Sequence, residues 1–465
     1  MRPVWAIAKQ TFWEGMRMRI VLVSVIVLVL IILRLPYIMR GDETLAGRLQ
    51  TFLAYSFGAL GLFAGLATVF FSCSTLANEI KNCQLHMVVT KPVSRFQILL
   101  GKWLGVNLLN LLIVLICSIA IYAFARQIAG RQEQFARDRM KVRDVIWTAR
   151  TAASPIIPDI TPGVEAFLAD KIATGVFVRD SFEAKKAAAD KEIELLNRWR
   201  VLKPGEMRRF DFENLTAPDD PSVVLQVRVR ARGNPLPRDE VIPMAWYLLD
   251  PESGAQLHPN PTRTEARSGD VIQFLFRGQA AIKNGKASLL AVNIMPDGSM
   301  PGHDVMLEGD DWLQIMYRVG GFEANFVRNV VMVLAKLAFL SAIGLMFAVF
   351  VSFPIACMCT FVAFLVVVGW DWWFDAIGGN IEIYSVDVDP YGRVGPFVRF
   401  ILEPFMMMMP NFNEYNGTNK LIAGEIIPNA TLFWCLLKTL GLGGILLLIV
   451  GWSVFSRKEI AEITV

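Results

Sequence analysis

The side chains that most often bind metals or act as nucleophiles are few in this chain and form no recognisable site. Cys357 and Cys359 are separated by one residue within an apolar segment. A structural zinc ion needs four ligands, so two thiols alone favour a packing role. The three histidines, His86, His258 and His303, show no metal-ligand spacing. The sequence therefore predicts no metal and no bound cofactor.

Carboxylates offer one further candidate site. Four acidic residues lie close together in the sequence: Asp304, Glu308, Asp310 and Asp311. They lack the alternating spacing of calcium-binding loops, so a solvated acidic surface is the favoured interpretation. The chain has no paired catalytic carboxylates, no Ser/His/Asp arrangement and no Gly-x-x-x-x-Gly-Lys-Ser/Thr loop for ATP. We therefore expect no catalytic residue and do not expect this chain to be an enzyme.

One short polar stretch combines helix-forming, helix-breaking and basic residues between two apolar segments. Residues 81–90 can form a short helix on which Leu85 and Val88 provide an apolar face. Pro92 ends that helix, because proline disfavours helical backbone at its own position and at the preceding one. Ser94 is a preferred N-cap for the helix that follows. This pattern is suited to docking a stiff element against a partner protein, and the alternative is an ordinary loop whose basic residues only follow the positive-inside rule.

The residues around this break follow a recognisable order. Glu79 lies upstream, Pro92-Val-Ser-Arg95 forms the break, and a Leu-Leu-Gly-Lys run opens the next apolar segment. This order resembles the cytosolic loop of the permease subunits of type-2 ABC transporters, the ABC-2 permease family. Residues 455–460, Phe-Ser-Arg-Lys-Glu-Ile, also resemble that family's C-terminal ending.

The resemblance covers residues 1–124 and 326–465, and it implies a function and partners. A separate cytosolic ATPase subunit would hydrolyse ATP, and a second permease chain, identical or not, would complete the pathway in the bacterial cytoplasmic (inner) membrane. The cytosolic coupling loop would be 77–102. The residues that the resemblance assigns to ATPase coupling are Glu79, Leu85, Val88, Pro92, Ser94 and Arg95. In that family a short loop joins spans three and four, so residues 125–326 are an insertion.

Composition indicates that these residues belong to a membrane protein. Of the 465 residues, 54% are hydrophobic and only 19% are charged, with a mean hydropathy of +0.44. Soluble domains carry about 25% charged residues. The net charge of +4 is too balanced for a nucleic-acid-binding surface. Six apolar segments are long enough, or nearly so, to span a bilayer: 20–37, 53–76, 103–124, 330–351, 354–370 and 432–454.

Charge placement predicts the topology. Residues 1–19 are interpreted as an amphipathic helix in the membrane interface, with a simple cytosolic extension of the first span as the alternative. The segments on one side of the six spans are rich in Lys and Arg, whereas the insertion 125–326 is balanced. The positive-inside rule therefore predicts that both termini are cytosolic and that the insertion is extracytoplasmic. Lys336 and Lys438 lie deep within their spans.

The extracytoplasmic insertion is predicted to be an α+β domain, with a helical part at 126–205 followed by an antiparallel β-sandwich at 220–325. Apolar and polar residues alternate through 224–232, which indicates a half-buried strand. Asn284-Gly285 is a strong hairpin signal. All six cysteines lie outside the insertion, so it is not a disulfide-stapled domain.

A second polar site is predicted on the outer side, between the last two spans. Within 371–430, Arg399 and Glu403 are spaced i,i+4 and can pair. The resemblance implies two short re-entrant helices here, and we interpret them as an outer gate. The alternative is an amphipathic segment lying on the membrane surface.

Three functional hypotheses remain at the level of sequence. The first is a transport permease, in contact with membrane lipid and with a possible extracytoplasmic partner. The second is a membrane-anchored sensory module whose β-sandwich binds a glycan or a protein. The third, a membrane enzyme, is the weakest because no His/Asp/Glu cluster is found near a span.

Overall fold

The computed structural model describes residues 2–38, 44–82, 93–130, 141–178, 181–216, 224–236, 241–277, 282–295, 297–309, 311–370 and 410–457. The chain divides into two compact units. The first, Met1–Trp147 with Gly321–Val465, is called the helical unit. The second, Thr148–Gly320, is called the β-rich unit.

The described helices and strands are numbered here in chain order. The helices are α1 Arg2–Arg17, α2 Arg19–Ile38, α3 Leu45–Lys81, α4 Arg95–Ala129, α5 Thr161–Ala173, α6 Phe182–Arg200, α7 Phe322–Phe350, α8 Phe353–Val368, α9 Gly417–Ala423 and α10 Asn429–Arg457. The strands are β1 Thr148–Ala153, β2 Val201–Leu202, β3 Met207–Phe212, β4 Val224–Asn234, β5 Val241–Leu249, β6 Thr262–Arg267, β7 Val271–Arg277, β8 Ala287–Val292, β9 Asp304–Leu307 and β10 Leu313–Gly321.

Five of the described helices are long and apolar enough to cross a membrane: α2, α3, α4, α7 and α10. They coincide with five of the six predicted spans and indicate a multi-pass membrane protein. The remaining segment, predicted at 354–370, forms α8, which has 16 residues. A straight span needs about 17–25 residues, so a six-span topology stays a prediction.

The two ends of the helical unit bring different helix termini together. Where α3 ends and α4 begins, Leu76, Leu99 and Phe455 share one apolar core, so the C-terminal end of α10 lies there as well. We call this the loop end. Near the start of α3 the ring of Phe52 lies 6.4 Å from that of Phe124 in α4. That second region, which also contains the start of α7, is called the opposite end.

The β-rich unit contains two sheets. One has the strand order β1-β10-β4-β9-β2, with β7 also paired to β4, and the other has the order β3-β8-β5-β6. The registered strand pairs are antiparallel. Val227 and Val229 of the first sheet share one apolar core with Phe210 and Trp246 of the second. The predicted antiparallel β structure is therefore confirmed.

Local patterns placed several elements of this unit correctly. The alternation through 224–232 buries four side chains of β4 on one face: Leu225, Val227, Val229 and Ala231. The predicted hairpin turn is present, with Lys283 bridged to Lys286. Asn284 and Gly285 have φ values of 49° and 73°, as a type I′ turn requires.

Other boundaries differ from the prediction. The segment 126–205 was expected to be helical, but Thr148–Ala153 forms β1 at a sheet edge. Its apolar residues are all alanine, so it carries no clear period-two pattern. Strand β3, Met207–Phe212, lies outside the predicted sandwich 220–325 although Phe210 and Phe212 alternate and are buried. Helix α7 starts at Phe322, inside that predicted range.

The predicted coupling loop is also shorter than 77–102. Helix α3 continues to Lys81 and α4 begins at Arg95. Glu79 is therefore helical rather than part of a loop. Both helices extend well beyond their apolar segments, because the polar residues at their ends remain compatible with helix.

Candidate functional site

A buried ion pair joins the two helices that flank residues 83–92. Glu79 lies in the last turn of α3, and Lys102 lies in the N-terminal part of α4. Lys102 Nζ is 2.7 Å from Glu79 Oε2, and the two side chains are only 3% and 14% exposed. The same ammonium group donates to the carbonyl oxygen of Thr75 at 3.0 Å. A buried charge is tolerated when it is paired and hydrogen-bonded in this way.

The N-terminal helix joins this pair through Glu14 of α1. The hydroxyl group of Thr75 donates to Glu14 Oε2 at 3.2 Å. Burial raises the pKa of the Glu14 carboxyl, the positive charge of Lys102 opposes that change, and the negative charge of Glu79 adds to it. We call Glu14, Thr75, Glu79 and Lys102 the polar junction. It connects α1, α3 and α4 at the loop end.

Two glycines of α4 allow α1 to approach closely enough for these contacts. A Cβ atom on Gly105 would lie 2.6 Å from both the carbonyl oxygen of Ala8 and the Cβ of Thr11. A Cβ atom on Gly101 would lie 2.8 Å from the Cβ of Ile7. Small residues in this spacing permit tight helix packing within membranes. Helix α1 is thus packed against α4 along one face.

The first turn of α4 has the N-cap that the sequence predicts. The backbone N–H of Gln97 donates to Ser94 Oγ, and the backbone N–H of Ser94 donates to Gln97 Oε1, both at 3.2 Å. This reciprocal arrangement is a capping box. The prediction that Ser94 caps this helix is therefore confirmed, and α4 has a sharply defined start directly after residues 83–92.

Arg95 binds the C-terminal end of α10. Its guanidinium group donates to the carbonyl oxygen of Phe455 and, at 3.0 Å, to that of Ser456. Its Cζ atom lies 5.5 Å from the centroid of the Phe455 ring. The last carbonyl groups of a helix lack partners within the helix, so an arginine there satisfies them and complements the helix dipole. The start of α4 is thereby attached to α10.

Sequence reasoning found part of this site. Three predicted residues, Glu79, Ser94 and Arg95, make polar contacts described above. Leu85, Val88 and Pro92 lie outside the described residues, so their docking role stays a prediction. The contribution of Glu14 was not predicted. Its signal was a lone acidic residue within a basic N-terminal segment.

At the opposite end, polar side chains of α7 hold residues 410–427. Asn325 Nδ2 donates to the carbonyl oxygen of Glu425 at 2.7 Å, and the backbone N–H of Ile427 donates to Asn325 Oδ1 at 2.8 Å. The guanidinium group of Arg328 donates to the carbonyl oxygen of Ile427 at 3.2 Å. These hydrogen bonds satisfy backbone groups of residues 425–427, which follow the short helix α9.

The same segment reaches the middle of α7. Lys336 Nζ donates to the carbonyl oxygen of Phe412 at 2.9 Å and lies 5.2 Å from the centroid of the Phe412 ring. That ring is 6.1 Å from the ring of Phe339. A helix rises 1.5 Å per residue, so contacts from Asn325 to Phe339 cover about 21 Å of α7. Residues 412–427 thus contact α7 from its first turn to its middle, and backbone of this kind is tolerated at membrane depth where protein covers it. The two predicted re-entrant helices stay a prediction.

The second deep lysine approaches the same stretch of chain. Lys438 lies in a π-helical part of α10, Leu437–Gly444. Its Nζ is 3.9 Å from Glu414 Oε2 and 5.5 Å from the centroid of the Tyr415 ring. π-helical segments are frequent at functional sites. An ionisable group within a span is by default a functional-site hypothesis, so Lys336 and Lys438, together with residues 412–415, form a second candidate site.

The remaining candidates give no further site. Arg399 and Glu403 lie outside the described residues, so their pairing and the outer gate stay predictions. Glu308 from the acidic cluster lies 3.5 Å from Arg232. Within the described part of the chain, no three His, Cys, Asp or Glu residues gather as a metal site would require.

Comparison with known proteins adds no assignment. The sequence matches no protein-family model, and no curated protein is significantly similar to it.

Proposed function

We propose that this chain is the membrane-spanning permease subunit of an ATP-binding cassette transporter. In this proposal a separate cytosolic ATPase subunit docks at residues 83–92 and supplies the energy for moving a substrate across the bacterial cytoplasmic membrane. A second permease chain completes the pathway. Both termini and the loop end are cytosolic.

The observation that carries the proposal is the way both flanks of residues 83–92 are fixed. The Glu79–Lys102 pair joins α3 to α4 at 2.7 Å. Glu14 attaches α1 to the pair through Thr75, and Arg95 attaches α10. A force applied to the loop would therefore displace four helices together. An ordinary connecting loop does not need such attachments.

Basic residues at the loop end support the orientation. Arg17, Lys81 and Arg457 occupy the last turns of α1, α3 and α10. These are the helix ends that meet at, or lead into, the loop end. Basic residues near span ends favour the cytosolic side.

A sensory or binding module is the second candidate function. A cleft of about 360 Å³ in the β-rich unit supports it. The charged and amide side chains that line this cleft are Arg228, Arg230, Gln273, Glu308 and Asp311. A binding module would use this cleft and would have no requirement for the attachments at the loop end.

Co-purification with an ATPase tests the proposal. The full chain is expressed together with a P-loop ATPase, if its neighbouring reading frame encodes one. Leu85→Asp/Val88→Asp is expected to abolish co-purification because two charges disrupt the apolar docking face. The control is Met300→Asp, which adds a charge at a side chain of the β-rich unit that is 76% exposed. Unchanged co-purification of the double variant would refute the docking role.

A further inference from the structure

We propose that the helical unit contains a binding site for the phosphoethanolamine headgroup of a membrane phospholipid. The site is a pocket of about 470 Å³ at the opposite end, between the end of α4 and the start of α7. We call it the Arg126 pocket. The lining residues that carry the argument are Tyr122, Arg126, Arg143, Trp147 and Glu323. This inference does not depend on the transport proposal.

Two of the residues that line the pocket, Tyr122 and Trp147, belong to a cluster of aromatic rings that also contains Phe322. The ring of Trp147 lies 4.2 Å from that of Phe322 with an interplanar angle of 15°. The ring of Tyr122 lies beside both of these rings, 6.5 Å from Phe322 at 24° and 6.2 Å from Trp147 at 38°. Tyrosine and tryptophan are enriched where a membrane meets water, because their rings are apolar and their polar atoms need a partner. The aromatic residues of the pocket therefore favour a position at the depth of the lipid headgroups.

The depth of Arg126 agrees with this placement. Arg126 lies two residues beyond the apolar segment that ends at Phe124. At 1.5 Å per residue this is about 3 Å. The headgroup layer on each side of a bilayer is roughly 5–7 Å thick. A ligand bound to this guanidinium group would thus lie among lipid headgroups.

The charges of the pocket select a zwitterion. Arg143 is already paired with Asp144, at 2.7 Å. Arg126 has no ion-pair partner among the described residues, and neither has Glu323, whose Oε1 accepts a hydrogen bond from the hydroxyl group of Tyr122 at 3.4 Å. A simple anion would meet the charge of Glu323, and a simple cation would meet that of Arg126. A phosphate next to an ammonium group would satisfy both.

Hydrogen bonding favours ethanolamine over choline. Glu323 is an acceptor, and the hydroxyl group of Tyr122 has acceptor capacity as well. A primary ammonium group donates up to three hydrogen bonds, whereas a quaternary ammonium group donates none. Arginine recognises phosphate through charge-assisted hydrogen bonds. The geometry therefore assigns the phosphate to Arg126 and the ammonium group to Glu323.

Native mass spectrometry of the purified, delipidated full chain tests this site. The probes are phosphatidylethanolamine, phosphatidylcholine and phosphatidylglycerol, with glycerophosphoethanolamine and inorganic phosphate as soluble competitors. We expect retention of phosphatidylethanolamine over the other two lipids by about tenfold or more, as loss of a charge-assisted hydrogen bond implies. Arg126→Gln should remove this preference. Glu323→Gln should reverse it toward phosphatidylglycerol, because the pocket then carries a net positive charge.

The matched control is Arg34→Gln. Arg34 is an exposed arginine near the end of α2 that leads toward α3, and it does not line the pocket. This variant should retain lipids as the unaltered chain does. The reversal expected for Glu323→Gln is a gain of one lipid over another, which misfolding does not produce. Equal retention by all variants, or a preference of the unaltered chain for phosphatidylglycerol or phosphatidylcholine, would overturn the proposal. Displacement of the lipid by either soluble competitor at equal concentration would also overturn it.

Discussion

Lys102 is the residue on which the polar junction depends. Its side chain is almost completely buried, and its ammonium group binds the carboxylate of Glu79 and the carbonyl oxygen of Thr75. Removing one partner of a buried ion pair leaves the other charge without compensation. The carboxyl group of Glu14 also interacts with the positive charge of Lys102, at longer range. Loss of Lys102 would therefore leave two carboxylates close together.

A double-mutant cycle measures this dependence. Glu79→Gln and Lys102→Met should each lower the free energy of unfolding by about 3 kcal/mol. The combined variant should lose less than the sum by at least about 1 kcal/mol, because neither charge is then left alone. Thermal unfolding of the purified chain in detergent gives the comparison.

The exposed pair Lys191–Glu194 of α6 provides the control cycle. Its side chains are 23% and 60% exposed, and its atoms are 2.8 Å apart. Exposed pairs contribute about 0–1 kcal/mol, so Lys191→Met and Glu194→Gln should change stability little. Strictly additive losses at Glu79 and Lys102 would mean that the two side chains have no coupling energy, which would contradict the role assigned to the buried pair.

At the scale of elements, the close contact between α1 and α4 depends on glycine residues of α4, which have no Cβ atom. Gly105 faces the backbone of α1 at a distance that leaves no room for a Cβ atom. The buried residues of α1 are all small: Ala8, Thr11 and Gly15. Its tryptophans, Trp5 and Trp13, are 60% and 51% exposed. Helix α1 thus packs mainly through small residues and leaves its two tryptophans available to the membrane interface.

Substitution of Gly105 tests the role of this close packing. Gly105→Ala should destabilise the chain by about 1–3 kcal/mol, the usual cost of overpacking, because its Cβ atom would lie 2.6 Å from the backbone of Ala8. Gly61→Ala in α3 is the matched control, since a Cβ atom there meets nothing within 4 Å. That control should be neutral or stabilising by up to about 1 kcal/mol. Equal unfolding temperatures for the two variants would contradict the packing argument.

The elements also show which features a sequence can reveal. The cap at Ser94 and the strand through 224–232 were predicted correctly, because each is determined by neighbouring residues. Five spans were found for the same reason, since hydropathy is a local property. The polar junction was not predicted as a unit. Its partners come from three helices, and nothing in the sequence indicates that Glu14 lies near Lys102.

At the scale of the whole molecule, the chain is divided so that the β-rich unit begins and ends on neighbouring strands. Strand β1 starts this unit, β10 ends it, and the two are adjacent in one sheet. Units whose ends lie close together can be inserted into or removed from a host chain with little strain. The unit Thr148–Gly320 also contains no cysteine. The β-rich unit thus has its own apolar core, its first and last strands are paired, and it needs no disulfide bond.

Excision and deletion of this unit together form the last prediction. Thr148–Gly320 expressed alone should be soluble, give a β-rich circular dichroism spectrum and unfold at the same temperature with and without reductant. A full chain in which a short Gly/Ser linker replaces this unit should still co-purify with the ATPase, because Glu79, Lys102 and Arg95 all belong to the helical unit. If the unit guides a substrate or partner outside the membrane, the shortened chain should fail to restore transport in cells that lack the protein. Restored transport would eliminate the guiding role and leave a passive cap, whereas loss of ATPase binding would show that the helical unit requires the β-rich unit to keep its loop end intact.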